Sequence, residues 1–174
     1  MEMSSEDFKV LNQLGQDGAQ GVVSLVEFPN GLQAAMKQFK HTKSSARIQV
    51  EADFQQRAAE AGIAPEVMHV DLDKKRIFME PMDVRVVDVL KGANSRFISD
   101  LNHIMHKLDE INILHNDGNA LNLMLDSNDH LKIIDFGLAK EITDKVRNKW
   151  QGEPNIKVTL HMIRKGLRKY KINV

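Results

Sequence analysis

Residues 113–126 read ILHNDGNALNLMLD, and residues 133–140 read IIDFGLAK. The first stretch places a His, an Asp and several Asn between runs of Ile, Leu and Met, which indicates that these polar groups face a common site. Asn122 and Asp135 carry the kind of oxygen ligands that hard cations such as Mg²⁺ prefer. Asp117 is left to orient or deprotonate a hydroxyl group. The two stretches therefore predict a site at the end of short, buried segments.

The composition sets few limits on partners. A chain of 174 residues with 42% hydrophobic side chains can bury one core, or two small lobes packed together. Its 24 basic and 24 acidic side chains cancel, which argues against a nucleic-acid or membrane-surface protein. The exception is a basic tail at 157–171, which holds six Lys or Arg and no acid. This tail fits either a solvated helix face or a docking surface for an acidic partner.

The absence of cysteine excludes disulfides, thiolate metal sites and a Cys nucleophile. The start, MEMSSEDFKV, lacks the layout of a signal peptide, and no apolar run approaches the roughly 20 residues that span a bilayer. We therefore expect a soluble, cytoplasmic protein. A secretion signal without a hydrophobic segment would not be visible in this pattern.

The first half of the chain reads as strands around one helix. An antiparallel three-stranded meander at 8–39 and a hairpin at 66–82 together supply five predicted strands, and residues 44–61 between them form a predicted helix with a Ser pair for its N-cap. In the second half, residues 95–112 carry apolar side chains at helical spacing, which predicts an amphipathic helix. Two short strands at 121–125 and 131–135 and a mostly helical C-terminal region follow. The fold class is α+β, with a β-rich lobe before a helical one.

Two further features of the first half can bind phosphate. Gly15, Gly18 and Gly21 lie in the turn between the first two strands, where missing Cβ atoms let backbone N–H groups approach a phosphate. Lys37 lies on the third strand among small and apolar residues, so its ammonium group needs an anionic partner, and Glu51 on the following helix can provide one. Taken alone, either feature also fits a plain turn or two unrelated surface charges.

Together these segments resemble a protein kinase. The glycine loop G-x-G-x-x-G-x-V is similar to the stretch that holds Gly18, Gly21 and Val23, with Gly15 displaced by one extra residue. The strand motif V-A-I-K is AAMK at 34–37, H-R-D-x-x-x-x-N is HNDGNALN at 115–122, and D-F-G is intact at 135–137. The resemblance implies a bilobal fold with lobes at 1–81 and 82–174 in one minimal domain.

The resemblance also implies a role for each site residue. Lys37 would contact the phosphates of ATP and pair with Glu51, Asp117 would be the catalytic base, and Asn122 and Asp135 would bind Mg²⁺. The residues implied to bind the nucleotide are Gly15, Gly18, Gly21, Val23, Ala35, Lys37 and the hinge residues Met79, Glu80 and Met82. The implied activity is ATP-dependent phosphorylation of Ser or Thr.

The pattern departs from most kinases at two places. Asn116 replaces the Arg that meets an activation-loop phosphate, and only 37 residues follow Gly137, with no A-P-E motif. The chain therefore resembles the minimal kinases, among them bacterial type III effector kinases of the OspG and NleH kind and small tRNA-modification-complex kinases. The first of these comparisons implies a constitutively active virulence effector that is secreted into a host cell. It also implies docking to a protein substrate, with ubiquitin or a ubiquitin-conjugating enzyme as a partner.

Two other functions stay open at this stage. One is a binding module that keeps the kinase fold as a scaffold with slight catalysis, which the missing peptide groove and the basic tail favour. The other is a small-molecule phosphotransferase, since such enzymes share the H-x-D-x-x-x-x-N loop and the strand lysine.

Overall fold

The computed structural model describes residues 7–15, 18, 20–92 and 94–174. The strands of the first half are β1 (Lys9–Leu14), β2 (Gly21–Glu27), β3 (Gln33–Phe39), β4 (Val67–Asp71) and β5 (Arg76–Met79), and its helix is α1 (Ser45–Glu60). The second half contains β6 (Val84–Arg85), α2 (Val86–Val89), α3 (Ser95–Glu110), β7 (Ile113–Leu114), β8 (Leu123–Leu125), β9 (Leu131–Ile133), β10 (Lys140–Glu141), α4 (Asp144–Lys149) and α5 (Leu160–Arg168).

The first half forms the predicted five-stranded antiparallel sheet, in the order β1-β2-β3-β5-β4. The third strand lies at its centre, where Lys37 pairs with Val23 on one side and Ile77 on the other. A central strand is buried on both faces, and four consecutive residues of β3 are buried here, Lys37 included. The sheet therefore carries a lysine into the interior of the protein.

Helix α1 packs beside this sheet, as its sequence predicts. The hydroxyl group of Ser44 accepts a hydrogen bond from the backbone N–H of Arg47 and so caps the first turn. The buried face of the helix includes Ile48 and Ala52, which share an apolar cluster with β3 and β5. The same face carries Glu51 inward, toward the central strand.

The second half is mostly helical, and its core extends into the first half. Helix α3 is capped by the side chain of Asn94, and Leu101, Ile104 and Leu108 of its apolar stripe are buried. This core also contains Leu160, Ile163 and Leu167 from the C-terminal region, as well as residues of α1. The α+β, kinase-like arrangement expected from the sequence is thus present.

Several boundaries differ from the prediction. Helix α3 ends at Glu110 rather than 112, because Asn112 adopts a left-handed backbone with φ 61°. Residues 120–122 form a 3-10 turn, so the strand predicted at 121–125 begins only at Leu123. The four elements that the sequence did not indicate are short: β6, α2, β7 and β10.

Two expectations concern membranes and the start of the chain. Among the residues that the structure describes, no helix has both the length and the apolar character needed to cross a bilayer. Residues 1–6, on which the expectation of a missing signal peptide partly rests, lie outside the described residues.

Candidate active site

A compact charge cluster joins the two halves of the chain. The ammonium nitrogen of Lys37 lies 2.5 Å from Glu51 Oε1 and 3.5 Å from Asp135 Oδ1. The exposed fractions of Lys37 and Glu51 are only 9% and 3%. Strand β3, helix α1 and the loop after β9 therefore converge on one buried cation.

The two carboxylates determine the protonation of this lysine. Burial alone would lower the pKa of Lys37, but the charges of Glu51 and Asp135 outweigh it and raise that pKa above 10.5. Burial alone would likewise raise the pKa of Asp135, but the ammonium group of Lys37 and the N–H of Gly137 hold it below 3.8. Both groups are ionised at neutral pH, so the site presents fixed charges to a ligand.

The loop at 115–119 is held by a buried histidine. His115 has no exposed surface, and its Nε2 lies 2.9 Å from the carbonyl oxygen of Ile134, to which it donates. Its Nδ1 accepts from the N–H of Asp117 at 3.4 Å. Burial lowers the pKa of His115, so the ring is neutral and can make both bonds. The histidine thereby connects the backbone of Asp117 with that of the segment leading to Asp135.

A backbone hydrogen bond joins the segment of Asn122 to the segment that leads to Asp135. The carbonyl oxygen of Asn122 accepts from the N–H of Ile134, the residue before Asp135, at 2.9 Å. Asn122 is buried, yet its side-chain Nδ2 has no hydrogen-bond partner among the described residues. A buried amide without a full set of partners, beside an ionised carboxylate, fits a site whose remaining contacts come from a ligand.

A magnesium ion fits this donor set. Asn122 and Asp135 offer one amide and one carboxylate group, and Mg²⁺ commonly uses one or two protein groups together with phosphate oxygens. Among the described residues, no group of three or more His, Cys, Asp or Glu could hold a metal ion. Water and the oxygens of a bound phosphate would complete the coordination of a cation held here.

Three of the predicted nucleotide-binding residues lie on the same side of the sheet as Lys37. Val23, Ala35 and Met79 belong to one apolar cluster, in which Ala35 and Met79 are directly paired across β3 and β5. Glu80 follows that strand, and its N–H donates to the carbonyl oxygen of Glu66 at 2.9 Å. Met82, two residues further on, is half-buried.

The glycine turn is described only in part, because residues 16, 17 and 19 lie outside the described residues. The N–H of Gly18 donates to the carbonyl oxygen of Gly21 at 2.9 Å. A Cβ at Gly21 would lie 2.0 Å from the carbonyl oxygen of Gln38, so only glycine allows this approach of the turn to β3. At Gly15, whose φ is 78°, nothing occupies the space of a Cβ, and glycine serves the backbone conformation instead.

A second cation at this site is not indicated by any sequence pattern. The ammonium group of Lys43, in the loop before α1, lies 2.8 Å from Glu51 Oε2 and 2.7 Å from the side-chain oxygen of Gln20. Glu51 therefore bridges two lysines. A pattern in the loop could not reveal this, because Lys43 looks like any exposed loop lysine until the helix is placed.

A second missed feature is a buried polar network behind the loop at 115–119. Asn155 is fully buried; its side-chain oxygen accepts from the N–H of His115 at 3.0 Å, and its Nδ2 donates to Asp109 Oδ1 at 2.8 Å. The same Nδ2 donates to the carbonyl oxygen of Ile113 at 2.6 Å. One side chain from the C-terminal region thus fixes both the start of the loop and the end of α3.

The third missed feature connects α1 to the segment after Asp135. The guanidinium group of Arg57 contacts both carboxylate oxygens of Glu141 and donates to the carbonyl oxygen of Ile111 at 2.6 Å. Glu141 lies on β10, which pairs with β7 directly before His115. The helix that carries Glu51 is thereby fixed to the segment on both sides of the candidate catalytic loop.

Comparison with known proteins agrees with this geometry. The family model described as "Protein tyrosine and serine/threonine kinase" matches residues 65–161, more than half of the chain. The chain belongs to the protein kinase family. Membership implies transfer of a phosphoryl group from ATP.

The curated proteins that this kinase matches are distant relatives in sequence. It is 26% identical to mitogen-activated protein kinase 2 of Pneumocystis carinii over 89% of this chain and 51% of that protein. It is 24% identical to mitogen-activated protein kinase KSS1 of Saccharomyces cerevisiae over 87% of this chain and 51% of that protein. The chain thus spans about half the length of these relatives.

A third relative is of a different kind. The kinase is 35% identical to a probable bifunctional tRNA threonylcarbamoyladenosine biosynthesis protein of Methanocaldococcus jannaschii, over 44% of this chain and 14% of that protein. The matched share is too small to carry the whole relative's activity to this chain.

Proposed function

We propose that this kinase is an ATP- and Mg²⁺-dependent Ser/Thr protein kinase that is active without phosphorylation of its own chain. The observation that supports this most directly is the cluster of Lys37 with Glu51 and Asp135, beside Asp117 and Asn122. In this proposal, residues 1–81 and 82–174 are the two lobes of one minimal kinase domain.

Each residue of the cluster has a defined task in binding. Lys37, oriented by Glu51, contacts the α- and β-phosphates, and the glycine turn covers the phosphates with backbone N–H groups. Asn122 and Asp135 would hold Mg²⁺, and the bound ion would neutralise negative charge on the phosphate oxygens. The carbonyl oxygen of Glu80 and the N–H of Met82 bind adenine.

The chemical step requires one further group. The acceptor hydroxyl oxygen forms a bond to the γ-phosphorus. At the same time the bond between the γ-phosphorus and the oxygen that bridges the β- and γ-phosphates breaks, so ADP leaves. Asp117 accepts a hydrogen bond from that hydroxyl group and takes its proton. Its carboxylate is held by the N–H of Asn119, which donates to Asp117 Oδ1 at 3.2 Å.

Activity without a phosphorylation switch is supported by one backbone conformation and two contacts. Asn116 adopts a left-handed backbone with φ 64°, which Asn tolerates better than most residues. Its Nδ2 contacts the carbonyl oxygen of Leu138 at 3.5 Å, where a phosphate-binding Arg stands in regulated kinases. Only residues 138–143 separate Gly137 from α4, and the Arg57–Glu141 pair holds them against α1.

The direct test is phosphoryl transfer from radioactive ATP with Mg²⁺ to the kinase itself and to a general protein acceptor. Labelling on Ser or Thr by the wild type, lost in Asp135→Ala, is the expected result. Equal labelling by that variant would sink the assignment of Asp135, and labelling confined to Tyr would contradict the acceptor class.

A second candidate is a binding module that retains slight catalysis. The short connection between Gly137 and α4 favours it, because no long segment is available there to hold a peptide. The resemblance to effector kinases supports a secreted protein in the cytoplasm of a host cell, with ubiquitin or a ubiquitin-conjugating enzyme as partner. A pull-down with wild type and Lys37→Ala separates the two functions, since only the catalytic one needs Lys37.

A small-molecule phosphotransferase is the third function that the shared loop permits. Incubating a metabolite mixture with the kinase and ATP, followed by mass spectrometry, would detect new phosphate esters. We expect none, because the described residues 138–143 leave no room for the bulky substrate-binding insertion of those enzymes.

A further inference from the structure

We propose that the exposed face of α5 binds an acidic segment of the protein acceptor, next to Asp117. This inference rests on the proposed kinase function and names the class of substrate that the kinase would take. It begins from the position of α5 in the fold, because the C-terminal helix packs directly on the candidate catalytic loop.

The contact between α5 and the loop depends on two glycines. A Cβ at Gly118, the residue after Asp117, would lie 1.9 Å from the Cβ of Met162 on α5. A Cβ at Gly166 would lie 3.3 Å from Ala120 and from the carbonyl oxygen of Gly118. The missing side chains let helix and loop approach at backbone distance, so anything bound along this side of α5 lies beside Asp117.

The helix presents cations on that same side. Residues 165 and 166 lie three and four positions after Met162, and the C-cap residue Lys169 lies four positions after Lys165, so all four share one side of the helix. Lys165 and Lys169 are exposed, and they flank the contact that Met162 and Gly166 make with the loop. Arg168 is exposed on the adjoining turn.

The charged side chains of residues 154–174 are all cationic. The last acidic residue of the chain is Glu153, and six cations follow it: Lys157, Arg164, Lys165, Arg168, Lys169 and Lys171. None of the six side chains forms an ion pair with a residue that the structure describes. The Nε of Arg164 is buried and has no hydrogen-bond partner there either. An acidic ligand would complement this surface, while the chain as a whole carries no net charge.

The structure favours an acidic protein segment over a membrane. An interfacial helix must insert its apolar face among lipids. In α5 that face consists of Leu160, Ile163 and Leu167, each 1% exposed or less, and all three belong to the protein core. The cations next to the catalytic loop therefore point to the acceptor, with Asp or Glu flanking the Ser or Thr.

The first experiment measures binding without catalysis. A fluorescent peptide with a central Ser flanked by Asp and Glu is titrated with the kinase in the absence of ATP, beside a peptide in which Asn and Gln replace the acids. We expect the acidic peptide to bind at least tenfold more tightly, and added salt to weaken this preference. Equal binding of the two peptides would overturn the proposal, as would tighter binding to anionic vesicles or to single-stranded RNA.

The second experiment localises the binding surface. The triple variant Lys165→Gln, Arg168→Gln, Lys169→Gln is compared with Arg47→Gln, Lys91→Gln, Lys145→Gln, which removes the same charge from other exposed positions. We expect the first variant to lose about tenfold in affinity for the acidic peptide and the second to lose less than twofold. Equal losses would show a net-charge effect only and would contradict the proposal.

The third measurement separates this inference from the proposed function. The rate of phosphate transfer to the acidic peptide is divided by the rate for the neutral one, for wild type and both variants. We expect the ratio to fall only in the α5 variant. Failure of all transfer would contradict the kinase activity, but the binding titration would still decide whether α5 takes an acidic segment.

Discussion

Asn116 and Lys43 show what single residues do at this site. Asn116 departs from the kinase motif, yet it suits a left-handed backbone and reaches Leu138 with an uncharged amide. Lys43 adds a second cation to Glu51, on the carboxylate oxygen that Lys37 does not use. The site therefore keeps its geometry through contacts that need no added phosphate.

Replacing Lys37 tests the buried charge cluster. The variant Lys37→Met removes the cation that contacts Asp135 and that we propose to contact the phosphates of ATP. We expect kcat to fall by roughly 10²–10³, the usual loss for one preorganised electrostatic contact. The control Lys43→Met should lower kcat by less than tenfold, because Lys43 contacts Oε2 of Glu51, the carboxylate oxygen that Lys37 does not contact. Equal losses in steady-state assays would mean that the two lysines share one role.

Replacing Asp109 tests the buried network of Asn155, Asp109 and His115 through the pH dependence of stability. Burial raises the pKa of Asp109 above 3.8, so its charged form is disfavoured in the folded state, and Oδ2 has no hydrogen-bond partner among the described residues. Asp109→Asn keeps the acceptor that Asn155 uses. We expect about 1 kcal/mol more stability at pH 7 from urea unfolding.

The sign of the pH dependence follows from the raised pKa. As pH falls, Asp109 is protonated at a higher pH in the folded wild type than in the unfolded chain. The destabilisation caused by its buried charge is therefore lost as pH falls through the raised pKa toward 3.8. The stability difference between Asp109→Asn and wild type should therefore shrink on acidification. A difference that grows would contradict the assigned cause.

At the scale of elements, helix α1 is held by contacts at its middle and at its last turn. Glu51 ties its middle to β3, and Arg57 ties its last turn to β10 and to the carbonyl oxygen of Ile111. Helix position is a common point of control in kinases. Here ordinary side-chain contacts hold the helix in the arrangement that orients Lys37.

A double-mutant cycle tests this tie. Arg57→Glu and Glu141→Arg each place like charges together and should each lower kcat about tenfold, whereas the double variant restores the pair and should recover most of that loss. The pair is partly exposed, so the effect on global stability should stay within about 1 kcal/mol. Additive losses in the double variant would show that the two residues do not act through each other.

At the scale of the whole molecule, the sequence predicted the larger features and missed those made by tertiary contacts. Alternating and helical patterns located the first four strands, α1 and α3 within two residues and the fifth strand within three, because burial repeats along each element. The two-residue strands β7 and β10 carry no such repeat, since they exist only by pairing with each other. The spacing of Lys37, Asp117, Asn122 and Asp135 indicated a site, because the chemistry restricts the residue types.

The contacts that complete the site could not be read from the sequence. Arg57 and Glu141 are 84 positions apart, and Asn155 lies 40 positions after His115. Neither pair belongs to a local pattern. Their partners are determined by how the C-terminal helices pack on the catalytic loop, and the glycines at 118 and 166 make sense only once that packing is known.

The decisive measurement is the initial rate of phosphate transfer from ATP to a protein acceptor by kinase that has been treated with phosphatase and verified as unphosphorylated by intact mass. We predict a linear rate from the first time point, without a lag, that is lost in Asp117→Asn and in Asp135→Ala. A lag that disappears after preincubation with ATP would contradict activity without a phosphorylation switch. An unchanged rate in both variants would contradict the active site itself.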